Sequence, residues 1–369
     1  GVLAKKLEGF ELRPSQMRMA NIVTEALEQR THAIIEAGTG TGKTLAYLAP
    51  ALMHGRRLLV STGTKALQDQ IFNKDIPLLE NILGRPIRAS YLKGRNNYLC
   101  KLKLHTFQNE GLFTPLEVDN FSQITEWASQ TETGDRAELK TVCDDEELWS
   151  RIDARRDRCL GAKCEEFETC FLTMTRQKAM ESDIVIVNHH LFFADLSIRE
   201  EQMAKILPDY TAVIFDEAHD LEDIATGYFG FHVSNYRIQE LLFDTRSLAE
   251  LTEVSIDLLA SSLDRASDHF FGRFLMLSDG RHPLPELDNI DDLISALGDL
   301  EETLKQQSSS NAEWENLSKR TGEITEELLI FKNGNPDNYV SWLDRRGRGV
   351  FLEACPIDIS PFLKEALFE

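Results

Sequence analysis

The chain has 369 residues, of which 42% are hydrophobic and 27% charged, and it carries a formal net charge of −21. This is typical of a globular protein of two or three domains, and six cysteines are too few for a disulfide scaffold. The acidic balance excludes a surface coated in basic residues but allows a local nucleic-acid-binding patch. We find neither a secretory leader nor an apolar run that could span a bilayer, so we expect a cytoplasmic protein without membrane contact.

Helical and strand-like segments alternate along the first hundred residues. RPSQMRMANIVTEALEQ has helical spacing with a proline near its start, and THAIIEA, RRLLVST and PIRASYL are apolar runs typical of buried strands. Helical patterns such as KTLAYLAPALM lie between these runs. This alternation predicts an α/β fold with a parallel sheet and helices on both faces.

The later segments first interrupt and then resume this alternation of helices and strands. Residues 94–180 are polar and contain five of the six cysteines, after which SDIVIVNHH and YTAVIFDEAH predict two more central strands. Residues 226–331 have a helical pattern without a convincing strand, and YVSWLD and GVFLEA then flank RRGRG as a predicted hairpin. We interpret the chain as one α/β domain with a cysteine-bearing insert and a helical insert.

A glycine-rich loop, EAGTGTGKT at 36–44, follows the first predicted strand and opens a helix. Its glycines allow the tight turn in which backbone N–H groups point at phosphate oxygens. Lys43 should reach the β- and γ-phosphates, and the Thr44 hydroxyl should bind Mg²⁺. The predicted nucleotide-binding residues of the loop are Ala37, Gly38, Thr39, Gly40, Thr41, Gly42, Lys43 and Thr44.

The strand AVIF ends in DEAH at 216–219. Asp216 at a strand end can hold Mg²⁺ through water, and Glu217 can orient and deprotonate an attacking water. An acidic pair alone is more often a solvated surface. Paired with the glycine-rich loop, it indicates a nucleoside triphosphatase.

Four cysteines group as a single residue and a triplet: Cys100, Cys159, Cys164 and Cys170. Structural zinc sites favour two close pairs, whereas iron–sulfur clusters accept four thiolates with uneven spacing. The spacing therefore favours a cluster over zinc, and unligated cysteines come third. Cys143 and Cys355 have no predicted ligand role.

Together, AGTGTGKT, DEAH, KGRNNYLC, the cysteine triplet and IVIVNHHLFFAD resemble the XPD-like iron–sulfur helicases of superfamily two, and most closely their bacterial DinG/YoaA branch. The resemblance implies a RecA-like P-loop motor domain with an inserted [4Fe–4S] domain, ligated by the four cysteines, and an inserted helical arch. It implies ATP and Mg²⁺ as cofactors, Arg13 and Gln16 at the nucleotide, and His219 coupling nucleotide to nucleic acid. The implied ranges are 1–98, 181–225 and 339–369 for the motor domain, 99–180 for the cluster domain and 226–338 for the arch.

The resemblance also points to single-stranded DNA and its junctions with duplex as ligands. STGTKALQDQ resembles the motif that contacts phosphates at a helix start, through Thr62 and Thr64. Lys93 and Arg95 belong to a basic run that fits either DNA or a solvated face, and His189 fits either DNA or the closing of the sheet edge.

Two motifs of the second motor domain, S-A-T and Q-x-x-G-R, are absent from the sequence, so we expect the N-terminal part of a longer protein. The resemblance implies an ATP-dependent 5′–3′ DNA helicase of repair or replication, acting as a monomer with a possible replication or repair partner. Two alternatives stay open. One is a DNA-stimulated ATPase without unwinding, and the other a cluster-bearing binding or redox module with a vestigial ATPase.

Overall fold

A computed structural model describes residues 13–38, 40–55, 57–110, 115–139, 146–155, 158–200, 205–308, 311–334 and 339–368. The chain divides into two compact units. The first unit comprises Gly1–Ala154 and Glu165–Ile224, and the second comprises Arg155–Cys164 and Ala225–Glu369. No helix among the described residues is long and apolar enough to cross a membrane.

The first unit is built on a parallel sheet with strand order β2-β3-β1-β4. The strands are β1 (Leu58–Thr62), β2 (Ala89–Tyr91), β3 (Ile184–Asn188) and β4 (Ala212–Phe215). The helices are α1 (Pro14–Gln29), α2 (Lys43–His54), α3 (Lys65–Gln70), α4 (Ile76–Leu83), α5 (Lys101–Glu110), α6 (Pro115–Ala128), α7 (Glu146–Ile152), α8 (Phe171–Met180) and α9 (His189–Glu200). This sheet confirms the predicted α/β class with parallel strands.

The register of the sheet brings the ends of its central strands together. Leu58 of β1 lies opposite Ile184 of β3 and Ala212 of β4, and all three strands run in the same direction. Every residue of β1 is buried, as expected for a central strand covered on both faces. β1 ends at Thr62, and His189 and Asp216 directly follow β3 and β4. The carboxyl ends of these three strands therefore lie at one edge of the sheet.

One predicted strand is absent from the described residues. THAIIEA, at 31–37, forms no strand, and the side chain of Ile34 is fully exposed. β4 has a single hydrogen-bonded neighbour in the sheet, and its residues are only half-buried. Apolar content marks residues that suit a strand, but a strand also requires a neighbouring backbone to complete its hydrogen bonds.

The second unit combines helices with an antiparallel sheet of strand order β5-β8-β7-β6. The strands are β5 (Phe231–Ser234), β6 (Gly280–Pro283), β7 (Tyr339–Arg346) and β8 (Gly349–Pro356). The helices are α10 (Leu221–Tyr228), whose first residues belong to the first unit, α11 (Asn235–Thr252), α12 (Asp257–Gly272), α13 (Ile290–Gln307), α14 (Ala312–Asn333) and α15 (Ser360–Phe368). Leu343, Val350 and Leu352 of the sheet share one buried core with the helices.

Two expectations for this part of the chain differ from the structure. The hairpin β7–β8 forms as predicted, but residues 339–369 belong to the second unit rather than returning to the first. The supposedly all-helical insert contributes β5 and β6. These two strands have four residues each and exist because of pairing with β8 and β7, which lie far away in the sequence and give no local signal.

Candidate nucleotide-binding site

The glycine-rich loop folds into a turn at the N-terminus of α2. Gly40 and Gly42 have positive φ angles of 74° and 78°, and Gly42 is the residue that caps the helix. The Thr41 hydroxyl donates a hydrogen bond to the Gly38 carbonyl at 2.9 Å, which tightens the turn. A glycine turn opening a helix of 12 residues presents free N–H groups and a favourable dipole to an anion. Thr39 lies outside the described residues.

Arg13 and Gln16 brace this loop. Arg13 Nη1 donates to the Gly40 carbonyl at 2.6 Å, and Gln16 Nε2 donates to the Gly42 carbonyl at 3.1 Å. The positive φ at Gly42 favours glycine, and a Cβ atom there would lie 2.4 Å from Gln16 Nε2, so a side chain would displace the Gln16 amide. Both residues predicted at the nucleotide therefore lie beside the loop, and their contact with a nucleotide stays a prediction.

Lys43 and Glu217 form an ion pair across the site. Lys43 Nζ lies 2.9 Å from Glu217 Oε1, although 174 residues separate them in the sequence. The hydrogen bond between them raises the pKa of Lys43 and lowers the pKa of Glu217. The predicted phosphate-binding cation and the predicted general base thus meet, and each holds the other in its charged form.

The DEAH segment leaves β4 in a sharp turn. Glu217 adopts a left-handed backbone with φ of 56°, rare for a residue with a side chain, and its N–H donates to Asp216 Oδ1 at 3.1 Å. His219 is exposed, with Nδ1 3.6 Å from Glu217 Oε2 and Nε2 3.4 Å from Asp220 Oδ1. The turn therefore places the general-base candidate and His219 side by side, and the coupling role of His219 stays a prediction.

Asp216 is held by a residue that the motifs did not include. The Tyr47 hydroxyl donates to Asp216 Oδ2 at 2.9 Å, and both residues are buried. Burial raises the pKa of Tyr47, so its phenol stays protonated and remains a donor. A signal was present in the sequence, because Tyr47 follows Lys43 by four residues and such residues share one face of a helix.

Thr44 lies beside the same phenol, with which its side chain hydrogen-bonds. Thr44 and Asp216 thus both interact with the Tyr47 hydroxyl, and hydroxyl and carboxylate oxygens are the donors that Mg²⁺ prefers. The donor set fits the predicted ion, with waters or phosphate oxygens completing its coordination.

His189 is buried, and its ring makes hydrogen bonds to residues of two neighbouring segments of the sheet. Its Nε2 lies 3.0 Å from the Asp216 carbonyl and its Nδ1 2.7 Å from the Ser61 hydroxyl. Because a carbonyl only accepts, Nε2 carries the proton and Nδ1 accepts from Ser61. Burial lowers the pKa of His189, which keeps the ring neutral. Of the two roles considered for it, closing the sheet edge is the one that the structure supports, and DNA contact is not.

Family models match this chain over the segments that carry the site. The DEAD/DEAH box helicase model matches residues 13–116, and the DEAD_2 model matches residues 87–238. "ATP-dependent DNA helicase YoaA" of Escherichia coli is 40% identical over 255 residues, 69% of this chain and 40% of that protein. "ATP-dependent helicase DinG" of Mycobacterium tuberculosis is 34% identical over 283 residues, 70% of this chain and 39% of that protein.

The chain belongs to the DEAD/DEAH box helicases, in the branch that contains YoaA and DinG. It spans about two fifths of the length of these curated relatives. A solved structure named "XPD_Helicase" superposes with a TM-score of 0.47 at 16% identity, over 96% of this chain and 56% of that chain.

The helicase motif after β1 lies at a helix start, as predicted. Thr64 is exposed and caps α3 by accepting a hydrogen bond from the Leu67 N–H at 3.3 Å. Thr62 is buried, and its hydroxyl donates to the Thr64 carbonyl at 3.2 Å, so it shapes the turn from within. Thr64 is therefore the one of the two whose side chain faces solvent.

The two basic residues proposed for DNA differ in accessibility. Lys93 is only 7% exposed, and its Nζ lies 2.5 Å from Asp135 Oδ2. A buried and neutralised lysine cannot bind a phosphate without breaking its ion pair, so the predicted DNA contact of Lys93 is not supported. Arg95 is half-buried in the short turn Arg95–Asn97 and remains a candidate.

The four cysteines predicted as cluster ligands all belong to the described residues. Cys100 and Cys170 pack against one small apolar cluster of the first unit, and Cys159 and Cys164 belong to the second unit. Among the described residues, no group of three or more His, Cys, Asp or Glu side chains could hold a metal ion. Thiols suit an iron–sulfur cluster as donors, and ligation of a cluster by these four cysteines stays a prediction. Cys143 lies outside the described residues.

Proposed function

We propose that this chain is the nucleotide- and DNA-binding part of an ATP-dependent DNA helicase. The observation that carries the proposal is the meeting of Lys43 and Glu217 at 2.9 Å, beside an Asp216 carboxylate that Tyr47 holds in place. These residues come from two distant motifs, and together they form the set that nucleoside triphosphate hydrolysis requires.

The geometry implies an order of events at the site. The triphosphate binds the N–H groups of the loop at the start of α2, and Lys43 exchanges Glu217 for the β- and γ-phosphates. Glu217, no longer paired, then orients a water and accepts its proton. Mg²⁺, when bound by Thr44 and Asp216, would neutralise charge on the phosphate oxygens. Occupation of the site by nucleotide and activation of the base are therefore coupled.

The finer parts of the proposal rest on the resemblance and on the names of the relatives. We propose that the whole protein translocates 5′–3′ on single-stranded DNA and acts in repair or replication as a cytoplasmic monomer. Because the chain spans two fifths of the curated relatives, the second motor domain is proposed to lie in the remainder. Thr64 and Arg95 are the proposed phosphate contacts.

The function is tested by Glu217→Gln, which keeps the size of the side chain and removes the base. Loss of a general base should lower ATP turnover by about 100-fold or more. Nucleotide binding should be retained or tightened, because Lys43 loses its competing carboxylate. The control is Glu181→Gln, an exposed acid away from the site. The assay measures DNA-stimulated ATP hydrolysis, in this chain and in the full-length protein.

Unchanged turnover in Glu217→Gln would contradict the proposal and favour a binding or redox module with a vestigial ATPase. Lost turnover with intact strand separation would contradict the coupling of hydrolysis to unwinding. ATP hydrolysis without any unwinding by the full-length protein would leave a DNA-stimulated ATPase as the function.

A further inference from the structure

The antiparallel sheet of the second unit has a face that the helical core does not cover. Leu343 on β7 and Val350, Leu352 and Ala354 on β8 point into the core. Because side chains alternate along a strand, the residues between them point to the opposite side. The strand register places Arg281, Trp342, Asp344, Arg346, Phe351 and Glu353 on that side.

Arginine side chains lie over aromatic rings on this face. The Arg281 guanidinium lies 5.1 Å from the centre of the Trp342 ring, and the Arg346 guanidinium lies 4.8 Å from that of Phe351. Tyr236 of α11 meets Phe351 edge-on at 6.2 Å and is itself 46% exposed. We call Arg281, Trp342, Arg346, Phe351 and Tyr236 the arginine–aromatic face.

The acidic residues of this face lie beneath its arginines. Asp344 is buried and accepts from Arg346 Nε at 2.9 Å and Nη2 at 2.6 Å, and Glu353 accepts from Nη2 at 2.9 Å. The Arg346 side chain nevertheless remains 58% exposed. The carboxylates thus fix the orientation of the guanidinium, and solvent meets its cationic edge.

Further cations extend the face at the turn between β7 and β8. The turn reads RRGRG at 345–349, with Gly347 at φ of 61° and an exposed Arg348. Arg345 is mostly buried and paired with Asp279. Arg237 is paired with Glu327. Burial, together with the nearby charges of Arg237 and Arg346, lowers the pKa of His232, so that histidine adds no charge at neutral pH. Arg281 and Arg348 are therefore the exposed cations of this region, and Arg346 adds an exposed guanidinium whose charge two carboxylates already pair.

We propose that the arginine–aromatic face, with Arg348, binds single-stranded DNA. Guanidiniums preoriented on rings suit phosphate oxygens, which they can grip with two hydrogen bonds. The exposed ring of Tyr236 offers an unpaired base a surface to stack on, which the bases inside a duplex cannot use. Because the chain carries a net charge of −21, a cationic face of this kind is a local exception that a polyanion would select.

This inference rests on the proposed function, which makes single-stranded DNA the substrate, and it adds a DNA contact in the second unit to those proposed at Thr64 and Arg95. Arg281 and Arg348 are exposed and hold no buried carboxylate, so replacing them leaves the fold intact. Arg346 is unsuitable for substitution, because the buried Asp344 depends on it.

The test measures binding of fluorescent oligo-dT to the 369-residue chain over a range of salt concentrations. Arg281→Gln with Arg348→Gln should weaken binding about tenfold and reduce the salt slope by about 1.4, since each single-strand phosphate contact contributes about 0.7. Tyr236→Ala should weaken binding about tenfold with an unchanged slope, because stacking carries no charge. The matched control, Arg265→Gln with Lys319→Gln, removes two exposed cations from helices of the same unit and should bind as the wild type.

A second measurement does not depend on variants. Ultraviolet crosslinking of an oligonucleotide that contains 5-iododeoxyuridine should attach it to a peptide carrying Tyr236 or Trp342, as identified by mass spectrometry. If the wild-type chain binds oligo-dT and the arginine and tyrosine variants bind it with the same affinity, this inference is wrong while the proposed function stands. Crosslinks confined to the first unit would have the same meaning. A wild-type chain without affinity for oligo-dT would refute the DNA-binding part of the proposed function as well.

Discussion

The phenol of Tyr47 connects two motifs that lie 169 residues apart. It belongs to the helix that follows the glycine-rich loop, and it donates to the carboxylate that ends β4. Its partner Asp216 is buried, where an ionised carboxylate needs hydrogen bonds to replace its lost hydration. Tyr47 is thus a positioning residue for the proposed Mg²⁺ ligand and also part of the stability of the first unit.

Tyr47→Phe should lower the free energy of unfolding by about 1.5–3 kcal/mol, the range for a hydrogen bond to a charged group. It should also raise the Mg²⁺ concentration needed for nucleotide binding, because one Asp216 oxygen loses its orientation. Urea unfolding and titration of a fluorescent ATP analogue measure the two effects. Tyr236→Phe, which removes the hydroxyl of an exposed tyrosine, is the control for stability and should change it by less than about 0.5 kcal/mol. Equal effects of the two variants would contradict a special role for Tyr47.

At the scale of elements, the start of α2 is specified by its local sequence. A glycine at positive φ immediately before a helix is a signal that spacing and composition reveal without any tertiary contact. Gln16 of α1 adds the part that spacing does not reveal, because its amide occupies the space where a side chain at Gly42 would begin. The loop is therefore held in shape by its own backbone and by a neighbouring helix.

Gly42→Ala should lower nucleotide affinity about tenfold, because a left-handed conformation costs an alanine roughly 1–2 kcal/mol and its Cβ displaces the Gln16 amide. Binding of a fluorescent ATP analogue measures the loss. Gly298→Ala is the control, since Gly298 lies within α13 with open space around it, and it should stabilise the chain by about 0.5–1 kcal/mol. Nucleotide affinity equal to wild type in Gly42→Ala would contradict this account of the loop.

The segment Arg155–Cys164 is joined to the helices of the second unit by charge. Arg158 lies 2.6 Å from Glu240 and 3.0 Å from Asp244, and Arg320 of α14 shares the same Asp244 at 2.7 Å. Arg158, Asp244 and Arg320 side chains are all less than 15% exposed. The guanidinium of Arg158 is thus used in ion pairs inside the second unit.

Asp244→Asn should destabilise the second unit by about 3 kcal/mol, because it leaves two largely buried guanidiniums without their shared carboxylate. Amide hydrogen exchange in residues 158–164 should also become faster in this variant. The control, Asp264→Asn, breaks an exposed pair with Arg246 and should cost less than about 1 kcal/mol. Exchange unchanged in Asp244→Asn would show that the segment is held by other contacts.

At the scale of the whole molecule, the cysteines carry the prediction of a metal cluster. We propose that Cys100, Cys159, Cys164 and Cys170 ligate a [4Fe–4S] cluster, on the resemblance and on their uneven spacing. Chain purified without oxygen should then contain about four iron and four sulfide ions and absorb visible light. Cys100→Ser or Cys159→Ser should abolish both signals, and Cys355→Ser, which alters a half-buried cysteine of β8, should not. One bound zinc ion without visible absorption would contradict the cluster and would indicate that the cysteines bind zinc instead.

Motifs and hydrophobic runs were sufficient to predict the parallel sheet, the glycine-rich loop, the position of DEAH at a strand end and the hairpin β7–β8. The individual strands, the loop and the hairpin depend on residues close together in the sequence, where backbone conformation and apolar side chains leave a local pattern, and the alternation of strands with helices predicts parallel pairing. Tertiary structure alone decided the burial of Lys93 and His189, the link from Tyr47 to Asp216, the absence of a strand at 31–37 and the pairing of β5 with β8. In these cases partners distant in the sequence determine whether a charge is neutralised, a polar group satisfied or a strand completed, and no local pattern records the identity of a distant partner.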